Sequence, residues 1–373
     1  MVTKRSIFYL LLFAVITIVI SIPNSVYAKK QKPLIWDIDK LNIIRIDQAS
    51  SEEAKKIIQY ADNYCELPPL SVTQNKKLSF GPSNHYYSSI GPYRWPDADH
   101  PGKYYLKDGV INPDYRNYDS NKLYDMVLRC QWFSKAFYLT KDKKYYNAFI
   151  TQIKVWFLNQ DTYMEPTFMY AQVIPDDNVN NVGTSSGMIE AYVFNTLIES
   201  LRLVNCTYLI NRKTYKSLQE WFSQFASWSE KQYSDYFNTV NNNISLAFDV
   251  TMTNLHLFAG ENKKAKCIAD NFASKRINMQ IEDDGKQPAE LIRTRAAYYS
   301  LYNISHIIDF CCLARYWDNH YLANNGGRIE KAFDFIQQYL DKPETFPYQQ
   351  ITSWDECRSM FNEEKQRILL LSK

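Results

Sequence analysis

Two sets of side chains in this sequence have types and spacings suited to proton chemistry. Arg295, Tyr299, Tyr302 and His306 stand four, three and four residues apart, the intervals that place side chains on one face of a 3.6-residue helix. A cation, two phenols and an imidazole on one face can hold an anion, release a proton and accept one. Ala297, Leu301, Ile304, Ile308 and Cys311 repeat the interval on the other side, all apolar, so that side wants a core. Such polar faces also serve as ordinary hydrogen-bonding layers, and the face alone leaves both roles open. The second set is Asn241-Asn242-Asn243, which precedes the stripe Ile244, Phe248, Thr251, Leu255 and Phe258. One asparagine is enough to cap a helix. The others leave a primary amide free to donate to a carboxylate, and capping alone fits the stretch equally well.

The elements that must position these groups read as helices. Glu282-Asp283-Asp284-Gly285 is a charged turn, with Asp-Gly its strongest signal. Pro288 then sits where a first helical turn tolerates proline, opening a predicted helix over 288–316. Ser50-Ser51-Glu52-Glu53 fits a capping box for a helix to about Cys65, ended by Leu67-Pro68-Pro69. The lead before it, from Lys29, reads as extended and irregular. Amphipathic spacing gives further helices from Asp119 to about Tyr138, over 142–158, 185–205, 212–236, 244–259, 262–274, 326–341 and 351–370. No stretch shows the two-residue period of a strand. The fold class is therefore all-α, antiparallel helical hairpins that close into a toroid or stack openly. Between Phe80 and Asn117 periodicity disappears into a long loop rich in Tyr, Gly, Pro and Asp. Long structureless loops inside compact domains are usually functional. Its aromatics would also serve simply to cap the ends of the helices.

Composition narrows the function. Lys4 and Arg5, the apolar run Ser6 to Ile20 and Val26-Tyr27-Ala28 read as a signal peptide over 1–28. That leaves a single domain over 29–373 in a periplasmic or secreted protein, with no membrane partner after cleavage. The segment carries two bases and no acid, so its removal takes the formal charge from +3 to +1. A near-neutral chain without a basic block is a poor nucleic-acid binder. Seven cysteines without a spacing pattern allow one disulfide but indicate no framework. The sequons at Asn205, Asn243 and Asn303 read as chance matches. Five dispersed histidines and no HExxH indicate no metal, and no cofactor motif is present.

Four blocks carry a family likeness: YYSSIGPYRWPD (Tyr86 to Asp97), MYAQVIP (Met169 to Pro175), NNNISLAFDV (Asn241 to Val250) and QIEDDGKQPAELIRTRAAYYSLYN (Gln280 to Asn303). Together they resemble the alginate lyase family of α/α-toroid polysaccharide lyases. The resemblance implies β-elimination on an acidic polysaccharide or oligosaccharide, without a metal or other cofactor. It implies that Tyr299 is base and acid, that Asn242 and Asn243 hold the uronate carboxylate, and that Arg293 and Arg295 supply positive charge. Tyr298, about 100° away on the helix, is the weaker candidate. With Arg295 one turn before Tyr299, its charge is expected to lower a phenol pKa of roughly 10.

The same resemblance makes Tyr86, Tyr87, Tyr93, Trp95, Tyr170 and Gln172 walls of sugar subsites. Tyr302 and His306 join them from the Tyr299 face. The family carries Asn-Asn-His where this chain has Asn242-Asn243-Ile244, and isoleucine supplies neither donor nor base. Either Tyr299 does all the proton work, or another histidine fills in, with His85 and His306 the available substitutes, or the activity is altered or lost. Two other readings remain: a glycan-binding protein without catalysis, and a glycoside hydrolase with two carboxylates roughly 5 to 9.5 Å apart. The second would draw on Asp249, Asp283, Asp284 or Glu290.

Overall fold

The computed structural model describes residues 31–74, 78–175, 181–317 and 327–371. The proposed export segment lies outside them. Twelve helices account for most of the described chain: α1 Ile38–Ile46, α2 Glu52–Cys65, α3 Ser120–Thr140, α4 Lys143–Phe157, α5 Val193–Thr207, α6 Arg212–Thr239, α7 Asn243–Ala259, α8 Asn262–Phe272, α9 Pro288–Leu291, α10 Ala296–Ala314, α11 Arg328–Leu340 and α12 Trp354–Leu371. The fold class is all-α. Helices α3, α5, α7 and α10 contact one another in that order as an inner row, and α4, α6, α8, α11 and α12 pack against them from outside. Outer helices such as α4 and α8 show one apolar stripe, whereas α5, α7 and α10 are buried on nearly every side.

Helix α7 joins two hydrophobic clusters. Phe248, Met252, Leu255 and Phe258 point into one, formed with α1 to α6. Leu246, Val250 and Leu257 point into the other, formed with α8 to α12. Its N-terminus, where the asparagines stand, is thus fixed by packing on both sides.

Three expectations need correction. The lead before Ser50 contains α1, opened by Asp37, whose side chain accepts from the Asp39 and Lys40 backbone N–H groups. Short strands exist: β1 Ser88–Ile90 pairs in parallel with β4 Tyr170–Val173, and β2 Arg94–Pro96 pairs antiparallel with β3 Tyr104–Leu106. At three or four residues each, they are too short to show alternation in sequence. The helix expected over 288–316 is broken between α9 and α10 at Ile292–Arg295. All seven cysteines are free thiols, so the allowed disulfide is absent.

Candidate active site

The break before α10 shapes the site. The segment 349–351 runs beside it: Ala296 N–H donates to the Gln349 carbonyl at 3.0 Å, and Ile351 N–H to the Thr294 carbonyl at 3.0 Å. Gln350 Oε1 accepts from Ala297 N–H at 3.0 Å. Orphan donors at the start of α10 are thus paired by distant chain, so the helix need not continue from α9. On the other side of the break, Asp108 chelates Arg293, accepting from Nε at 3.2 and 3.1 Å and from Nη2 at 2.7 Å. It also accepts from the Thr294 backbone N–H at 3.0 Å. These contacts hold the Asp108 carboxyl below the usual carboxylate range although burial opposes them.

The N-terminus of α7 is held from the same region. Asn242 is its cap, accepting from Ile244 N–H at 3.1 Å and Ser245 N–H at 3.2 Å. Ser245 Oγ accepts in return from Asn242 N–H and from Gln280 Nε2. Gln280 Oε1 in turn accepts from Asn303, which also donates to Gln287. Asn243 donates twice to buried Glu290, through its backbone N–H and through Nδ2, both at 2.7 Å.

These elements enclose a cavity of about 650 Å³ whose lining includes Tyr93, Arg94, Asp108, Gln172, Asn243, Ile244, Arg293, Arg295, Tyr298, Tyr299 and Tyr302. Tyr299 and Tyr93 share a hydrogen bond of 2.8 Å between their hydroxyls. The Arg293 guanidinium lies 3.8 Å from the centre of the Tyr299 ring. Burial pushes the Tyr299 phenol well above its ordinary value, and Tyr93 adds to this while Arg293 opposes it. The expected lowering by Arg295 does not occur. Arg295 precedes α10 rather than lying on it, and its guanidinium covers Tyr298 at 3.8 Å and pairs with Glu356 at 2.8 Å.

Gln172 lines the cavity from a left-handed backbone position, φ 50°, a conformation that costs a non-glycine residue free energy and often marks a site. Its N–H donates to Ser89 Oγ at 2.8 Å and its Nε2 to Glu190 at 3.3 Å. Glu190 is fully buried and also accepts from Tyr87, Ser89 and Tyr115. Burial raises its carboxyl pKa, against the four donors.

Several candidates from sequence stand away from this cavity. Asn242 is spent on its cap. Tyr87 is buried against Glu190 and supports Gln172 from behind. Tyr86 and Tyr170 pack edge to face on each other. Trp95 donates to the Val110 carbonyl at 2.9 Å beneath the Lys107 ammonium. Neither expected substitute histidine reaches the phenols' pocket. His85 donates from Nδ1 to the Tyr163 carbonyl at 2.7 Å. His306 is fully buried between Tyr192 and Tyr302, with both ring nitrogens unpartnered and its pKa pushed down by burial to about 3. Among the described residues, no histidine lines the cavity. Ile244 does.

Arg94 was missed. It lines the cavity, and its guanidinium makes no hydrogen bond or ion pair among the described residues, unlike those of Arg293 and Arg295. Its only sequence signal was its place between Tyr93 and Trp95. Asp108 gave no signal at all, since it meets Arg293 across 185 residues.

The four acids that a hydrolase would need are engaged elsewhere. Asp249 pairs with Arg276 at 2.7 Å, Asp283 with Arg328 at 2.6 Å, Asp284 with Lys286 at 2.6 Å and Glu290 with Asn243. None of them lines the cavity, whose single carboxylate among the described residues is Asp108.

Rows of helical hairpins and a pocket bearing phenols, guanidiniums and two amides define a helical protein equipped for an anionic ligand. The family model described as alginate lyase matches residues 71–346. The structure superposes on the crystal structure of an alginate lyase from Bacteroides ovatus with a TM-score of 0.84 and 32% identity, covering 91% of this chain and 92% of that one. Two variants of alginate lyase A1-III, complexed with a tetrasaccharide, share the fold. Their TM-scores are 0.55 and 0.54 at 14% identity, with 85% of this chain and 80% of theirs covered. No curated protein matches the chain. The chain belongs to the alginate lyase family, and it is a polysaccharide lyase.

Proposed function

We propose that the protein cleaves a uronate-containing, alginate-like polysaccharide by β-elimination, with Tyr299 as base and acid and without recourse to a metal. The observation that carries the reading is the placement of the Tyr299 hydroxyl in the cavity, bonded to Tyr93 and backed by Arg293. Elimination needs the C5 proton of a uronate to leave while its carboxylate takes up negative charge. Donors aimed at that carboxylate lower the barrier. Arg94 brings an unengaged guanidinium, and Asn243 retains one Nδ2 hydrogen beyond the one given to Glu290.

The phenolate of Tyr299 takes the proton, breaking C5–H. The C4–C5 double bond forms as C4–O4 breaks, and O4 receives the proton from the Tyr299 phenol. One product ends in a 4,5-unsaturated uronate, the other in a hydroxyl, and the phenolate is restored. A single phenol serving both steps requires H5 and O4 on the same side of the ring. The Bacteroides ovatus and A1-III proteins are named as alginate lyases, and A1-III holds a tetrasaccharide. Both support an acidic glycan as substrate here. Export by the segment 1–28 belongs to the same reading, since polysaccharides lie outside the cell.

The test is a panel of alginate, mannuronate and guluronate blocks, pectate, glucuronan and glycosaminoglycans, followed by ultraviolet absorbance of unsaturated ends. A rise that persists in a chelator supports the proposal and names the substrate. Reducing ends without that absorbance would overturn it.

A further inference from the structure

Glu290 touches no part of the cavity, yet it is the group on which a cavity residue depends. The residue is 1% exposed. Oε1 accepts the Asn243 backbone N–H and Oε2 the Asn243 Nδ2–H, each at 2.7 Å. With Ile244 and Ser245 N–H groups paired to Asn242, the first turn of α7 has its donors satisfied by side chains. Asn242 would suffice to start the helix. The bond from Glu290 to the side-chain amide does something a cap does not. It distinguishes the two ends of the Asn243 amide, because a carboxylate accepts from Nδ2 and repels Oδ1.

Glu290 also belongs to the segment that carries the phenol and its guanidinium. Arg293 N–H donates to the Glu290 carbonyl at 3.1 Å, and Arg293 covers Tyr299. One carboxylate therefore ties the amide-bearing helix α7 to the Tyr299 side of the pocket. Holding it ionised in this place is costly. Burial raises its pKa to about 7 in spite of the Asn243 donors and nearby Arg293, with Asp108 adding to the rise. A site that accepts an unfavourable buried charge commonly uses it.

We infer that Glu290 is a positioning residue of the active site: it fixes the orientation of the Asn243 amide toward the uronate and locks that amide in register with Arg293 and Tyr299. The inference rests on the lyase reading for its kinetic form, and on the cavity alone for its binding form. An amide that turns freely presents its oxygen to the substrate carboxylate part of the time. The loss falls mainly on the step in which charge builds on that carboxylate, and so on kcat rather than KM.

The experiment is a double-mutant cycle of Glu290→Gln and Asn243→Ala, read in kcat and KM on a polymer the native protein cleaves. Glu290→Gln preserves shape and replaces one acceptor with a donor, which turns the Asn243 amide over. We expect kcat to fall about 10- to 100-fold, the range for a lost buried charge-assisted bond, with KM changed far less. Asn243→Ala should fall at least as far, and the double variant no further than Asn243→Ala, because Glu290 acts through Asn243. Native kcat in Glu290→Gln, or effects that multiply in the double variant, would overturn the inference. If Glu290→Gln does not fold, Glu290→Asp, which keeps the charge and withdraws it by one methylene, enters the same cycle with the same criteria. If the native protein cleaves nothing on the panel, the lyase reading fails and the cycle is read in calorimetric affinity for a uronate tetrasaccharide. Non-additive weakening there sustains the inference, additive or absent weakening overturns it, and no binding by the native protein overturns both.

Discussion

The Arg293 guanidinium stacks 3.8 Å from the centre of the Tyr299 ring while Asp108 chelates its edge. Its charge works against the burial that raises the Tyr299 phenol. A raised phenol is protonated at neutral pH, so base catalysis should draw on a small phenolate fraction that grows with pH. We expect kcat/KM to rise through the alkaline range. In Arg293→Met the rising limb should move to higher pH, with lower activity at pH 8. A pH–rate profile checks both, and an unmoved limb would remove Arg293 from phenolate support.

Tyr299→Phe should lose turnover by about 10²- to 10⁴-fold or more, the contribution usual for a positioned proton donor or acceptor. Melting temperature and circular dichroism should stay near native, since the ring and its packing under Arg293 remain. Full activity in this variant would end the proposed mechanism.

Arg94 is the guanidinium of the cavity left without a protein partner among the described residues. Arg94→Ala should weaken binding of an acidic oligosaccharide by about tenfold, the worth of one charge-assisted hydrogen bond. It should also flatten the salt dependence of KM. Titration at two ionic strengths measures both, and unchanged affinity would place the carboxylate elsewhere.

His306 gives a stability prediction with a definite sign. Its folded-state pKa is about 3 against an ordinary 6.5, so the folded protein keeps it neutral while the unfolded chain takes up a proton. Stability is therefore fully present above pH 6.5 and lost as pH falls from there toward 3, by at most about 5 kcal/mol. Both ring nitrogens lack partners, so His306→Phe, similar in size and apolar, removes a buried polar group without stranding another. The variant should melt higher than native at pH 5, with a smaller difference at pH 8. Equal acid sensitivity in the two proteins would contradict this account.

Gly285 carries the charged turn ahead of α9 with φ 86°, and a β-carbon there would come within 2.0 Å of the Lys331 carbonyl oxygen in α11. Gly285→Ala therefore meets both an unfavourable dihedral and a backbone clash. We expect a loss of roughly 2 kcal/mol or more, read by thermal or urea unfolding. A loss of only a few tenths would mean that the turn shifts freely.

Much of the helical architecture was written in local sequence. Amphipathic spacing and caps such as Ser51 mark most helices to within a few residues, because side-chain periodicity and end chemistry are local properties. Tyr299, Asn243 and Arg293 were likewise visible as types in a pattern. Their partners were not. The break before α10 follows from the segment 349–351 satisfying its first donors, and it reversed the pairing of the two arginines: Arg293 on Tyr299, Arg295 on Tyr298. A helical face drawn from sequence assumes an unbroken helix, and hydrogen bonds from more than fifty residues away removed that assumption. Burial decided the rest. Tyr87 and His306 are residue types suited to a site, but the packing of distant helices seals them inside, and desolvation then sets their protonation. Sequence determined the helices and the chemical groups available. Only the tertiary structure decided which groups face the cavity, because exposure and charge pairing arise from contacts between segments far apart in the chain.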